Sequence, residues 1–281
     1  MGTTCTTSAR SAYLATIVLN FGLGHENEVN HPTLLRPFAK TRQVGRHGGR
    51  FHGGESTGAD VREVSRAIGT DSRIGSKFLD SGPGFGGSCF QKDILNLVYL
   101  CEHYNLNEVA RYWEQVLTIN DWQKDRISKH IVNSLFGTVS NKKLAILGFA
   151  FKANTNDTRN SASIKICKDL IEEGAILSIY DPKVSKDQIG KDLCISGVNL
   201  IDEKEKDFWI YAESLNDAIN ESHAIVILTE WEEFKGIDWF DLFKKMSRPA
   251  WIFDTRSIID VKSAKEAGFN VWQIGNFTKL N

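Results

Sequence analysis

KKLAILGFAFKANTNDTRNSASIKICKDLIEEGAILSIYDPK (Lys142–Lys183) reads as strand, helix, strand. LAILGF is a short, wholly apolar run ending in glycine, the pattern of a strand buried on both faces. SASIKICKDLIEEGA has apolar residues at helical spacing and stops at Gly174, and ILSIYDPK is a second strand closed by Asp181-Pro182. The alternation continues toward the carboxyl terminus. DAINESHAIVILTEW supplies a short helix and a third strand, WFDLFKKM a helix, AWIFDTR a fourth strand, KEAGF a helix end and NVWQIG a last strand. Strands alternating with helices predict an α/β protein with parallel βαβ units, a doubly wound sheet with helices on both faces. The charged stretch from Lys183 to Lys206 reads as a surface excursion.

Upstream, the segment from Asn107 to Phe136 carries Val109, Trp113, Val116, Ile119, Ile127, Ile131 and Leu135 as an approximate stripe. It reads as a long helix that bridges two bodies, packs on a partner helix, or lies buried in one domain. Before it, SGPGFGGSCFQKD (Ser81–Asp93) runs into ILNLVYLCEHY, which is apolar at helical spacing. The glycine-rich loop therefore feeds a helix whose first turn holds Gln91, Lys92 and Asp93. Cys89, at that helix start and near an ammonium, is placed where the thiolate is favoured, although a small residue closing a loop would look the same. GADVREVSRAIG suits an amphipathic helix through Val61, Val64 and Ile68, ended by Gly69.

The first ~55 residues differ in character, with Gly/His punctuation and no sustained periodicity. Arg36 to Arg50 carries only positive charges. A nucleic-acid or metal reading through His47 and His52 is set against a segment without a packed core, and the latter is the expectation. A length of 281 residues allows two domains, and a net charge of -1 gives no field for nucleic acid or acidic membrane. No apolar run approaches the ~20 residues of a membrane span. YLATIVLNFGLG (Tyr13–Gly24) has no clear small-residue cleavage pattern, so no signal peptide is read. Five scattered cysteines without metal-ligand spacing fit reduced thiols in the cytosol.

Gly148-Phe149-Ala150 after the first strand, with Asp181 closing the second, has the look of a degraded dinucleotide fingerprint. Without the full G-x-G-x-x-G, any βα turn would look the same. The position does support a ligand at the carboxyl ends of parallel strands, where Phe151, Lys152, Arg159 and Arg256 fall and a phosphate would find cations.

GPGFGGSCFQKD and GADVREVSRAIGTDSRIGSKFL together resemble the nucleotide-sugar dehydrogenases, in particular those of the animal UDP-glucose type. LAILGFAFKANTNDTRNS, IYDPKV, VILTEW and IFDTR are similar, in order, to that family's carboxyl-terminal domain. The resemblance runs from about Glu55 to the end and implies a helical central, dimerising region (56–138) followed by a Rossmann-like UDP-sugar domain (139–281). Residues 1–55 are an irregular segment outside it. The implied reaction oxidises UDP-glucose to UDP-glucuronate with two molecules of NAD. In it, Cys89 attacks the aldehyde made by the first hydride transfer, giving a thiohemiacetal and then a thioester that water hydrolyses. Lys92 would stabilise oxyanions, and Asp93 would position or activate the water.

By the same resemblance Arg73, Asp80, Ser81, Gly82, Pro83, Gly84, Phe85, Gly86, Phe151, Lys152 and Arg256 contact UDP-sugar, Arg256 from a neighbouring element or subunit. Cys89, Phe90, Gln91, Lys92 and Arg159 face NAD. Asp80 departs from the lysine that animal members carry there, which puts its own contact in doubt. The Gly148–Asp181 turn would then hold uridine nucleotide, not NAD. The family's NAD-binding domain precedes the matched region, and no strand with G-x-G-x-x-G stands before Gly58, so a truncated chain is expected. The family's self-association, dimers assembling to hexamers, is implied as well. Two alternatives remain open: a non-catalytic UDP-sugar-binding or assembly module, and a dehydrogenase of another nucleotide sugar.

Overall fold

The structure is a computed structural model that describes residue 55 and residues 60–76, 79–193 and 208–276. The expectation of an irregular segment before Glu55 falls outside the described residues, as do Cys5, Cys194 and the histidines at 47 and 52.

Six strands form one parallel sheet: β1 (Lys143–Leu147), β2 (Ile176–Tyr180), β3 (Trp209–Tyr211), β4 (Ala224–Ile227), β5 (Trp251–Asp254) and β6 (Asn270–Gln273). Their spatial order is β3-β2-β1-β4-β5-β6, the doubly wound arrangement. The order reverses between β1 and β4. These two strands end level, Leu147 opposite Ile227, so the loops after them leave the sheet side by side. Strands in such a sheet are covered on both faces, which is why the LAIL run of β1 and the AIVI run of β4 are wholly buried.

Helices α1 (Val61–Gly69), α2 (Phe90–His103) and α3 (Asn107–Ser134) precede the sheet. Within and after it come α4 (Ala162–Glu172), α5 (Lys186–Leu193), α6 (Leu215–Ile219), α7 (Trp239–Lys245) and α8 (Val261–Glu266). Asp60 starts α1 by accepting from the Arg62 N–H at 2.8 Å, and Ser161 starts α4 by accepting from the Ser163 N–H at 3.2 Å. The 28-residue α3, about 42 Å long at 1.5 Å per residue, joins two cores. Its first half packs Ala110, Trp113 and Val116 against Ile94 and Cys101 of α2. Its second half sends Ile127 and Ile131 into the core under the sheet, where Val61 of α1 also lies.

Two corrections follow for the stretch between β2 and β4. The region read as a surface excursion opens with α5, which buries Ile189 and Leu193. Trp209–Tyr211 adds a strand that the sequence reading did not count. At three residues on the sheet edge, it has too few apolar positions to show a period.

Candidate functional site

The glycine-rich loop from Ser81 to Ser88 lies over the carboxyl ends of the parallel strands, and it is bonded from two sides. On the α3 side, Asn120 Oδ1 accepts from the Phe85 N–H at 2.8 Å, and Gln123 Nε2 donates to the Gly82 carbonyl at 3.2 Å. On the sheet side, the Gly87 N–H donates to the Arg159 carbonyl at 2.7 Å, and the Ser81 and Ser257 hydroxyls meet at 2.8 Å. Gly86 is required by close approach: a Cβ there would stand 2.4 Å from the Asn160 carbonyl oxygen.

Arg256 follows β5 and reaches the loop within the same chain, its Nη1 lying 3.2 Å from where a Cβ on Gly82 would be. Its Nε donates to the Leu228 carbonyl at 2.8 Å and Nη2 to the Phe151 carbonyl at 3.3 Å. Nη1 faces Glu230 Oε2 at 3.2 Å. Burial pushes the Arg256 pKa down and the Glu230 and Asp254 carboxylates push it up, while a guanidinium stays charged throughout the working range. The result is a fixed cation at the sheet's carboxyl edge.

Beside it opens a cleft of about 240 Å³. Arg62 and Arg66 of α1 line it with Arg256, and the Ser65, Ser76, Ser81 and Ser257 side chains add hydroxyls. Asp80 also lines the cleft and brings a carboxylate to it.

Cys89 caps α2 at its amino end without a side-chain capping bond, and it is exposed. Its Sγ is 3.5 Å from the Ser88 hydroxyl. Gln91, Lys92 and Asp93 occupy the first turn of α2 as expected, with the Lys92 and Asp93 side chains exposed. Burial pushes the Cys101 and Cys167 thiols up, so these two are held in the unreactive form. The Lys152 ammonium sits over its neighbour's ring, 5.3 Å from the Phe151 centroid.

Not every predicted residue joins the cleft. Arg73 is turned to solvent, 84% exposed, and bonded to Asp71, whose carboxyl it holds down at about 2. Arg159 is likewise exposed and paired with Asp157 at 2.7 Å, a partner it lowers. Asp181 has no oxygen left for a ribose. Oδ2 accepts from the Phe149 and Ala150 N–H groups at 2.7 and 3.0 Å and from the Trp231 indole at 3.2 Å. Oδ1 accepts from the Lys183 and Val184 N–H groups at 2.9 and 3.0 Å. Gly148, at φ 91°, has its Cβ position 2.4 Å from Thr229 Cβ. The turn after β1 therefore staples loops and does not fit NAD.

Sequence reasoning missed Asn120 and Gln123. Their signal was available, since both fall on the side of α3 that carries its apolar stripe yet are polar, and both are buried. It also missed Glu230, Arg62 and Arg66.

Residues 54–122 match the central domain of the UDP-glucose/GDP-mannose dehydrogenase family, and residues 145–261 match that family's UDP binding domain. The chain belongs to the UDP-glucose/GDP-mannose dehydrogenase family. Within it, the UDP-glucose 6-dehydrogenase of Drosophila melanogaster is 54% identical over 221 residues, which is 79% of this chain and 46% of that protein. The UDP-glucose 6-dehydrogenase of Gallus gallus is 54% identical over 223 residues, 79% of this chain and 45% of that one. The chain spans about half the length of the curated relatives it matches. A solved UDP-glucose dehydrogenase from Pyrobaculum islandicum superposes with a TM-score of 0.67 at 24% identity, over 87% of this chain and 51% of that one, and shares its fold. Among the described residues, no helix is long and apolar enough to cross a membrane, and no cluster of His, Cys, Asp and Glu could hold a metal ion.

Proposed function

We propose that this chain carries the UDP-sugar site and the thiol chemistry of a cytosolic, NAD-dependent, self-associating UDP-glucose 6-dehydrogenase. One observation supports this most: the loop that ends in the exposed Cys89 is bonded at Ser81 and Gly87 to the carboxyl edge of the sheet, against the fixed Arg256 cation. That edge, where strand order reverses, is where doubly wound sheets take their ligands. In this reading Arg256, Lys152 and the loop amides hold the diphosphate, Phe151 and the loop's Phe85 border the sugar, and the sugar's C6 points to Cys89.

The Cys89 sulfur attacks the C6 aldehyde, forming a C–S bond as the carbonyl oxygen takes up a proton. Lys92 stabilises the oxyanion that develops. The resulting thiohemiacetal becomes a thioester by losing a hydride from C6 and the proton of its hydroxyl. NAD, when bound, would accept the hydrides of both oxidations, and Arg159 would face its phosphates. Water then adds to the thioester carbon, with Asp93 positioning it, and the C–S bond breaks to release the carboxylate and the free thiol.

The thiol step is testable without turnover. The UDP-sugar aldehyde should protect Cys89 of the 281-residue chain from alkylation, read by peptide mapping, and uridine should not. Equal labelling with and without the aldehyde would remove Cys89 from the role. A second reading, UDP-sugar binding without turnover by this polypeptide, is favoured by the matched regions being the central and UDP binding domains.

A further inference from the structure

The three neighbours of the Arg256 guanidinium are not alike. Bonds from Nε to the Leu228 carbonyl and from Nη2 to the Phe151 carbonyl, at 2.8 and 3.3 Å, start from two nitrogens of a rigid plane and fix its orientation. Glu230, the third, follows β4 beside the point where the strand order reverses. Its Oε2 lies 3.2 Å from Nη1, is shielded from water, and makes no hydrogen bond. Its Oε1 takes only a long bond, 3.5 Å, from the Ala153 N–H. Glu230 therefore contributes charge to Arg256 and little orientation.

Resting on the reading that Arg256 receives the diphosphate of a UDP-sugar, we propose that the Glu230 carboxylate competes with the ligand for Arg256. Its carboxylate occupies the Nη1 face that a phosphate oxygen takes on binding. A carboxylate and a phosphate sharing one guanidinium repel each other, and partial burial weakens the screening that would hide this. The pair thus holds down affinity for the anionic part of substrate and product alike, which favours release of the nucleotide product. Affinity for the uncharged nucleoside is left alone.

The test is calorimetric titration of the 281-residue chain with UDP, inorganic pyrophosphate and uridine. Glu230→Gln keeps the side chain's size and its carbonyl for the Ala153 N–H. It should bind UDP and pyrophosphate about tenfold tighter, a gain of about 1.4 kcal/mol, with uridine unchanged. The gain should shrink as salt rises to about 1 M, where the Debye length is about 3 Å. Glu230→Ala, which removes charge and shape together, should show the same preference for anions over uridine. Unchanged or weaker anion binding in the Gln variant would overturn the proposal, because the carboxylate would then be orienting the guanidinium. So would an equal gain for uridine. Arg256→Met separates the two levels: unaltered UDP affinity in it sinks the underlying site and this proposal together. Loss of affinity in Arg256→Met without a gain in Glu230→Gln sinks the competition alone.

Discussion

Three of the five cysteines lie among the described residues, and their surroundings rank them. Cys89 is exposed at the start of α2, whereas Cys101 and Cys167 are buried and their thiols pushed up. Nucleophilic attack needs both access and thiolate, so the two buried groups fail on both counts. We predict that a limiting alkylating reagent at neutral pH labels Cys89 well ahead of Cys101 and Cys167, as read by peptide mapping. Faster labelling of either buried thiol would contradict this placement. Asp181 makes a different point about single residues. A carboxylate at the end of a second strand is a ribose ligand in one setting, and here it is a clamp for five donors.

Among the elements, α3 carries the coupling between the two cores, and its seat on the sheet includes a titratable group. His130 lies tilted by 37° against Trp272, centroids 4.6 Å apart, with Phe253 edge-on at 6.1 Å. Burial pushes its pKa down, the Glu55 carboxylate raises it, and the Arg126 guanidinium lowers it again. A histidine whose folded pKa is depressed favours the fold only while neutral. Its contribution is full above the unfolded value of about 6.5 and is lost as pH falls below it. We predict that the melting temperature drops from pH 7 to about pH 5.5, and that His130→Phe, which keeps the ring contacts, flattens the drop. Parallel curves for the two proteins over that window would exonerate His130. Glu55 reinforces the same junction, pairing with Arg126 and accepting the Gly275 N–H at 2.8 Å.

For the whole molecule, the question is turnover by this polypeptide alone. Hydride transfer depends on a nicotinamide held against C6 of the sugar, and such placement supplies much of an enzyme's rate. The parts of the chain matched to the family are its central and UDP binding domains, and the turn after β1 that reads like a dinucleotide fingerprint is closed by Gly148 and Asp181. We predict that the 281-residue chain binds UDP in calorimetry yet forms no NADH from UDP-glucose and NAD. Turnover that vanishes in Cys89→Ser would refute this and establish a complete enzyme. An absence of UDP binding would remove the diphosphate site at Arg256 from the reading.

Local periodicity was enough to determine the βαβ order, the long α3, the glycine loop running into α2, and Cys89 at its start. Those signals are short apolar runs for the strands, a 3.6-residue repeat for the helices and a glycine cluster for the loop, and each is complete within a short window. The partners of the loop are another matter. Phe85 meets Asn120 across 35 residues, Gln123 meets Gly82 across 41, and Ser81 meets Ser257 across 176. No local pattern encodes such pairings, so only the packed chain could show that Arg256 closes on its own loop. The same holds for β3, too short for a period and defined only by bonding to β2, and for Glu230, whose role arises from the cation that folding brings beside it.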